Sequence, residues 1–217
     1  MNSSMIYPIY PTIPFSQFHK VDLLNFFLFG IFLITALLCA FLLSHYALEK
    51  WHGNKRKVMA IFLCITGIVA ILLLCFFGLA VGTIKGIIFC LILTFSSYSD
   101  IKTREADDYL HIMIALTAFI GTKMTDIPSM IFGAFILVVP MIVITAFTKG
   151  KGVGGADIKL SAACGFLLGI QKGVLGLMLG LIFGIAFNII RQKRIKQAEG
   201  FPLIPYLAAG YMAAYLI

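Results

Sequence analysis

Residues 23–43 read LLNFFLFGIFLITALLCAFLL, twenty-one positions without a single charge. A helix of that length rises about 31 Å at roughly 1.5 Å per residue. The hydrocarbon core of a bilayer is about 30 Å thick. The stretch therefore reads as a membrane-crossing helix. The 20 residues before it carry Pro8, Pro11 and Pro14, and no cation precedes Lys20. A cleaved secretion signal has a basic start and a shorter apolar run, so 23–43 reads as a retained helix.

The rest of the chain repeats this pattern. Apolar runs fall at 22–43, 58–78, 82–98, 108–121, 128–147, 157–170, 173–190 and 202–217. The fold class is therefore all-α: a polytopic membrane helical bundle of about eight transmembrane helices. Two of them, 108–121 and 157–170, are short and start beside polar loops. That predicts a thinned or hollow membrane face there. Gly78 and Gly82 mark a hairpin, Pro140 is expected to kink the fifth helix, and Pro202 and Pro205 to distort the start of the last. Composition agrees. Of 217 residues, 61% are hydrophobic and 12% charged, against about 45–50% and about 25% in soluble domains. The mean hydropathy is +1.03.

The net charge of +8 does not point to nucleic acid. Thirteen of the 17 cations fall in or beside the loops on one side of this topology, and only Lys20, Lys85, Lys123 and Lys172 on the other. Cationic loops stay cytoplasmic. Both termini are thus expected outside, with lipid as the surrounding partner. The five cysteines all lie in apolar runs and form no C-x-x-C pair, which removes zinc-type spacing. The four histidines, His19, His45, His52 and His111, form no metal spacing either. His111 reads as a packed or interfacial side chain.

Two polar loops remain on the cytoplasmic side. One reads Ser99-Asp100-Ile101-Lys102-Thr103-Arg104-Glu105-Ala106-Asp107-Asp108. The other runs from Gly150 through Gly152, Gly154, Gly155 and Ala156 to Asp157-Ile158-Lys159-Leu160. Each contains Asp-Ile-Lys at a helix boundary. An aspartate at the centre of a membrane helix costs about 2.5–3.5 kcal/mol, so acids near a bilayer edge have a job or a partner. Asp100 has a structural reading as a helix-end charge paired at i+4 with Arg104. Asp157 has one as a first-turn acid after a glycine-rich turn. Lys102 and Lys159 do not face their aspartates at i+2 and read as snorkelling or substrate-meeting cations. Gly150, Gly152 and Gly155 match G-x-G-x-x-G, but a dinucleotide site needs a preceding strand.

Taken together, two carboxylates at one depth suggest hydrolysis. Close carboxylates share a proton. The ionised one draws a proton from water while the protonated one polarises a carbonyl. No serine or cysteine nucleophile with a histidine base is evident, and no cofactor or metal is implied.

The stretch Asp100-Ile101-Lys102-Thr103-Arg104 resembles the first aspartate motif of the prepilin peptidases, or type IV leader peptidases, which are GxGD-type membrane aspartic proteases. Gly154-Gly155-Ala156-Asp157-Ile158-Lys159-Leu160 resembles their second. Phe201-Pro202-Leu203-Ile204-Pro205-Tyr206-Leu207-Ala208 is similar to their proline-rich last helix. The resemblance covers residues 83–217. It implies a peptidase core over 81–217 behind an N-terminal extension with two transmembrane helices, 1–80. It also implies an aspartic endopeptidase with Asp100 and Asp157 catalytic. Lys102, Arg104, Gly154, Gly155 and Lys159 would support the loops or meet substrate. The implied partner is a prepilin or pseudopilin precursor, cut at its basic leader on the cytoplasmic face.

Departures are visible. Ala156 replaces the second glycine of G-x-G-D. Glu105-Ala106-Asp107-Asp108 replaces the family's hydrophobic residue, Pro and Asn. That acidic group would face a basic leader, or else is a solvated run starting a helix. The loop at 44–57 lacks the paired C-x-x-C of bifunctional members, so no methyltransferase activity is expected. Two other readings stay open on the residues alone: a transporter or channel with membrane-edge acids as ion sites, and a relative that keeps the fold without proteolysis.

Overall fold

A computed structural model describes residues 23–147, 153–194 and 202–217. The prolines and Lys20 of the N-terminal segment lie outside the described residues, as do Gly150 and Gly152 with their neighbouring lysines, Lys196 and Phe201. Among the described residues the chain is helical and contains no strand. The elements are α1 (Leu23–Trp51), α2 (Lys55–Phe77), α3 (Val81–Thr103), α4 (Asp108–Ala118), α5 (Ile127–Phe147), α6 (Gly155–Arg194) and α7 (Ile204–Leu216). Five helices are long and apolar enough to cross a membrane. Phe26, Ile34 and Leu38 on α1 and Phe132, Phe135 and Val139 on α5 lie exposed. A water-soluble protein does not display faces of that kind. The protein is an all-α, multi-pass membrane bundle.

The eight expected segments appear as seven elements, because 157–170 and 173–190 are two arms of α6. They meet at Gly169, whose φ of 72° and ψ of −172° are not helical. In a straight helix residues 165 and 173 would stand about 12 Å apart. Here a Cβ on Gly173 would lie 3.4 Å from the Gly165 Cα. The chain folds back on itself, and a positive φ with that ψ is open to glycine and hardly to anything else. Pro140 sits inside α5. Pro205 occupies the second position of α7, where a missing N–H costs nothing. Pro202 and Pro205 thus define where the last helix begins.

The helices group into two units. The first is built on α1, α2 and residues 81–95 of α3. There α1 packs on α2, Tyr46 stacks on Phe95, and Trp51 meets the same ring at a tilt. Lys85 is buried within α3, its ammonium 3.3 Å from the Thr122 hydroxyl. Of the cysteines, Cys39 and Cys64 are exposed and Cys90 and Cys164 buried.

The second unit holds residues 96–103 of α3 together with α4 to α7, and α6 is its hub. Its first arm packs against α5 through bare backbone. A Cβ on Gly133 would fall 2.5 Å from the Gly165 carbonyl oxygen, and one on Gly165 would fall 2.6 Å from that of Gly133. Small residues permit such approach where no hydrophobic effect drives helices together in lipid. The second arm meets α7 in the same way, with Gly176 against Tyr211 and Gly180 against Leu207.

This packing sets an expectation for stability. Gly133→Val and Gly165→Val each place a side chain into backbone that cannot yield, and are expected to cost at least about 1–3 kcal/mol. Gly155→Ala adds a Cβ that meets nothing within 4 Å and is expected to stay within about 0.5 kcal/mol of the parent. Denaturant unfolding in detergent, followed by helical circular dichroism, measures all three.

Candidate active site

The end of α3 is shaped by side chains that grip the turn after it. The helix stops at Thr103, and Arg104 takes φ 61°. The Arg104 N–H donates to the Asp100 carbonyl at 3.0 Å. That is the αL termination usually made by glycine. The helix therefore does not continue through Arg104, and the i+4 helical pairing expected with Asp100 is replaced by this turn. The Arg104 guanidinium still acts on Asp100 through space. The Ser99 hydroxyl donates to the Glu105 carbonyl at 3.0 Å. The Thr103 hydroxyl stands 2.9 Å from the same carbonyl. Ser99 and Thr103 thus fix the exit of the chain.

Asp100 is 7% exposed. Its Oδ2 accepts a hydrogen bond, at 3.2 Å, from the N–H of Ile204, the first residue of α7. The first N–H groups of a helix have no partner within it, so α7 offers a donor that a buried carboxylate can accept.

Asp157 is 8% exposed and lies in the first turn of α6. Its Oδ2 accepts from the Gly154 N–H at 2.8 Å. The Asp157 N–H returns a bond to the Gly154 carbonyl at 3.2 Å. This is half of a capping box, the third-position acid reaching back to the residue before the helix. Gly155 and Ala156 occupy the helical positions between, and neither has a positive φ. Alanine in place of glycine at 156 therefore carries no backbone strain. Asp100 stands within electrostatic reach of Asp157, so two segments 57 residues apart in sequence bring buried carboxylates into one neighbourhood.

The flanking cations have partners of their own. Lys159 turns to α4, with Nζ 2.7 and 2.9 Å from the two carboxylate oxygens of Asp108. Lys102 is exposed, with its ammonium 5.8 Å from the Tyr98 ring centre. Asp107 precedes α4 and Asp108 opens it, so part of the acidic run forms a helix start. His111 is buried on α4, and neither ring nitrogen has a hydrogen-bond partner among the described residues. Among the described residues no three His, Cys, Asp or Glu side chains gather as a metal site.

Sequence reasoning missed Ser99, Thr103 and the Ile204 N–H. The spacing Ser99-x-x-x-Thr103 before a turn was a local signal for the first two. Pro202 and Pro205, by leaving so few N–H groups at the start of α7, pointed to the third.

Fold and site define a multi-pass helical membrane protein with a buried pair of aspartates where α3 ends and α6 begins. Comparison with known proteins makes this specific. Residues 87–189 match the model of the type IV leader peptidase family. The resemblance carried by the two Asp-Ile-Lys motifs is borne out over that stretch. The chain is also similar to a protein of Bacillus subtilis (strain 168) named prepilin leader peptidase/N-methyltransferase, with 36% identity over 76 residues. The match spans 34% of this chain and 30% of that relative. No solved structure gives a significant match.

Because each aspartate both accepts a backbone N–H and carries an acid, two substitutions separate the roles. Asp100→Asn and Asp157→Asn keep an acceptor and are expected to hold parental stability closely. Asp100→Ala and Asp157→Ala leave a helix N-terminal N–H bare, and are each expected to be less stable by about 1 kcal/mol. Unfolding of the four variants in detergent checks this difference.

Proposed function

We propose that this protein is a membrane aspartic endopeptidase that removes the basic leader from prepilin-like precursors. Residues 81–217 form its peptidase core, and Asp100 and Asp157 are its catalytic pair. The observation that carries the reading is the convergence of the two motif aspartates, both buried and within electrostatic reach of each other. Family and distant relative support the substrate class.

The chemistry needs nothing beyond two carboxyls and water. One ionised carboxylate takes a proton from water as its oxygen attacks the scissile carbonyl carbon. The protonated partner donates its proton to the carbonyl oxygen. The tetrahedral intermediate then collapses, a proton passes to the leaving amine, and the dyad returns to its shared-proton state. The backbone N–H groups of Ile204 and Gly154 hold one oxygen of each acid. Each acid keeps lone pairs open to water and substrate.

In this reading the end of α3 and the start of α6 face the cytoplasm, following the cation distribution of the loops. The leader's cations meet the acidic turn at Glu105 and Asp107. The chain acts as a peptidase without methyltransferase activity, because the α1–α2 connection carries no cysteine.

The test is cleavage of a purified precursor with a basic leader and a following apolar helix, by the full chain in detergent. Asp100→Asn and Asp157→Asn are each expected to lose about 10³-fold or more in rate while inserting and folding normally. The mature product is expected to carry an unmethylated N-terminal amine by mass spectrometry when a methyl donor is supplied. Full cleavage by both variants removes the dyad. Ion flux in proteoliposomes without any proteolysis supports the transporter reading instead.

A further inference from the structure

Asp157 uses Oδ2 to accept from Gly154, and no described hydrogen bond reaches its Oδ1. Ser161 lies one turn further along α6, at i+4 and therefore on the same helix face. It is fully buried. Tyr211 comes from α7, seven residues after Ile204, which is two turns and again the same face. α7 thus carries Ile204, whose N–H meets Asp100, and, two turns on, the phenol of Tyr211. Tyr211 is also fully buried. Its ring fits because residue 176 is glycine: a Cβ there would stand 2.7 Å from the Tyr211 Cδ1.

The Tyr211 hydroxyl lies beside that of Ser161 and within electrostatic reach of Asp157 and of the Cys164 thiol. Neither Ser161 Oγ nor Tyr211 Oη completes a hydrogen bond among the described residues. A buried hydroxyl left so costs about 1–3 kcal/mol, and an aliphatic core would avoid that cost at both positions. Two adjacent hydroxyls hold two protons. If one is shared between them, the other remains to be donated outward. The thiol is a weak acceptor, whereas a carboxylate oxygen is the strongest acceptor in reach. Hydrogen bonds of this kind are often long in a resting enzyme and tighten when substrate binds.

We infer that Ser161 and Tyr211 are positioning residues for Asp157, a hydroxyl pair that donates to its Oδ1 and fixes the orientation of the carboxylate as substrate and water bind. No proton is transferred to or from the pair. Ser161 orients the phenol, and the phenol orients the acid. Gly154 and Tyr211 then hold Asp157 from opposite oxygens, leaving one lone pair on each oxygen to take the proton of the attacking water. The inference rests on the proposed reading of Asp157 as a reacting group.

The experiment uses the purified full chain in detergent with a basic-leader precursor. It compares Tyr211→Phe, Ser161→Ala and Ser161→Thr, with Asp157→Asn as the reference for loss of the acid itself. Tyr211→Phe and Ser161→Ala are expected to lower kcat about 10- to 100-fold, the scale of losing one hydrogen bond to a charged group, with KM within twofold. The acid limb of their pH–rate profiles is expected to move to higher pH, because a donor that favours the ionised carboxylate has gone. Ser161→Thr keeps the hydroxyl and is expected to recover most of the rate. The inference is overturned if Tyr211→Phe and Ser161→Ala keep kcat and pH profile while Asp157→Asn is inactive. Equal loss in Ser161→Thr and Ser161→Ala overturns it as well. Should Tyr211→Phe fail to fold, the two Ser161 variants decide the matter. An active Asp157→Asn strikes instead at the reading of the site on which the inference stands.

Discussion

A carboxylate carried among apolar helices must find hydrogen-bond donors, and the donors left over in an all-helical chain sit at helix N-termini. This constraint organises the second unit. Asp100 ends one helix and is held by the first N–H of another, Ile204 on α7. Asp157 begins α6 and is held by the N–H just before that helix. Both acids therefore belong where helices start, and the end of α3 and the starts of α6 and α7 have to meet at one level. An acid placed mid-helix in the same bundle would find every neighbouring N–H already bonded to a carbonyl four residues back.

Meeting at one level requires that α6 leave and return within a short distance. Its first arm, residues 155–168, rises only about 21 Å. The left-handed break at Gly169 then turns the chain back, and the second arm carries it toward the start of α7. The glycine contacts with α5 and α7 make this affordable in space. Gly133 against Gly165 and Gly176 against Tyr211 bring helix axes closer than any larger side chain would allow. The glycines of α6 are thus not evenly spread helix defects. They lie where the hub must touch its neighbours by backbone.

Much of this was legible in the amino-acid order, and the remainder was not for identifiable reasons. Apolar runs exposed the membrane helices because each run is a local property, measured against bilayer thickness. The two Asp-Ile-Lys motifs stood out because charges are scarce in so apolar a chain. The apolar runs place the break at 171–172, two residues past the actual fold-back at Gly169, because nothing local distinguishes a glycine in a tight reversal from Gly173 or Gly176 nearby. The partnership of Asp100 with Ile204 spans 104 residues and involves a backbone atom, which leaves no side-chain signature. The turn at Arg104 was hidden because arginine occupies a left-handed position that sequence rules assign to glycine or asparagine.

The cations around the acids show how the structure resolves a conflict that the sequence poses. Lys102, Arg104 and Lys159 follow the two aspartates within four residues. A direct, fully formed ion pair would pin a buried carboxylate and occupy the lone pairs that acid–base chemistry needs. Helix geometry already turns the i+2 lysines away. Lys159 is then drawn off to Asp108 on α4, and Lys102 lies beside the Tyr98 ring. Arg104, outside the helix, acts on Asp100 through space. The hydrogen bonds that reach the two carboxylates come from neutral backbone N–H groups, which orient an acid without fixing its charge state as an ammonium would. The two lysines are thus engaged away from the carboxylates, and the aspartates keep the lone pairs that the proposed chemistry would use.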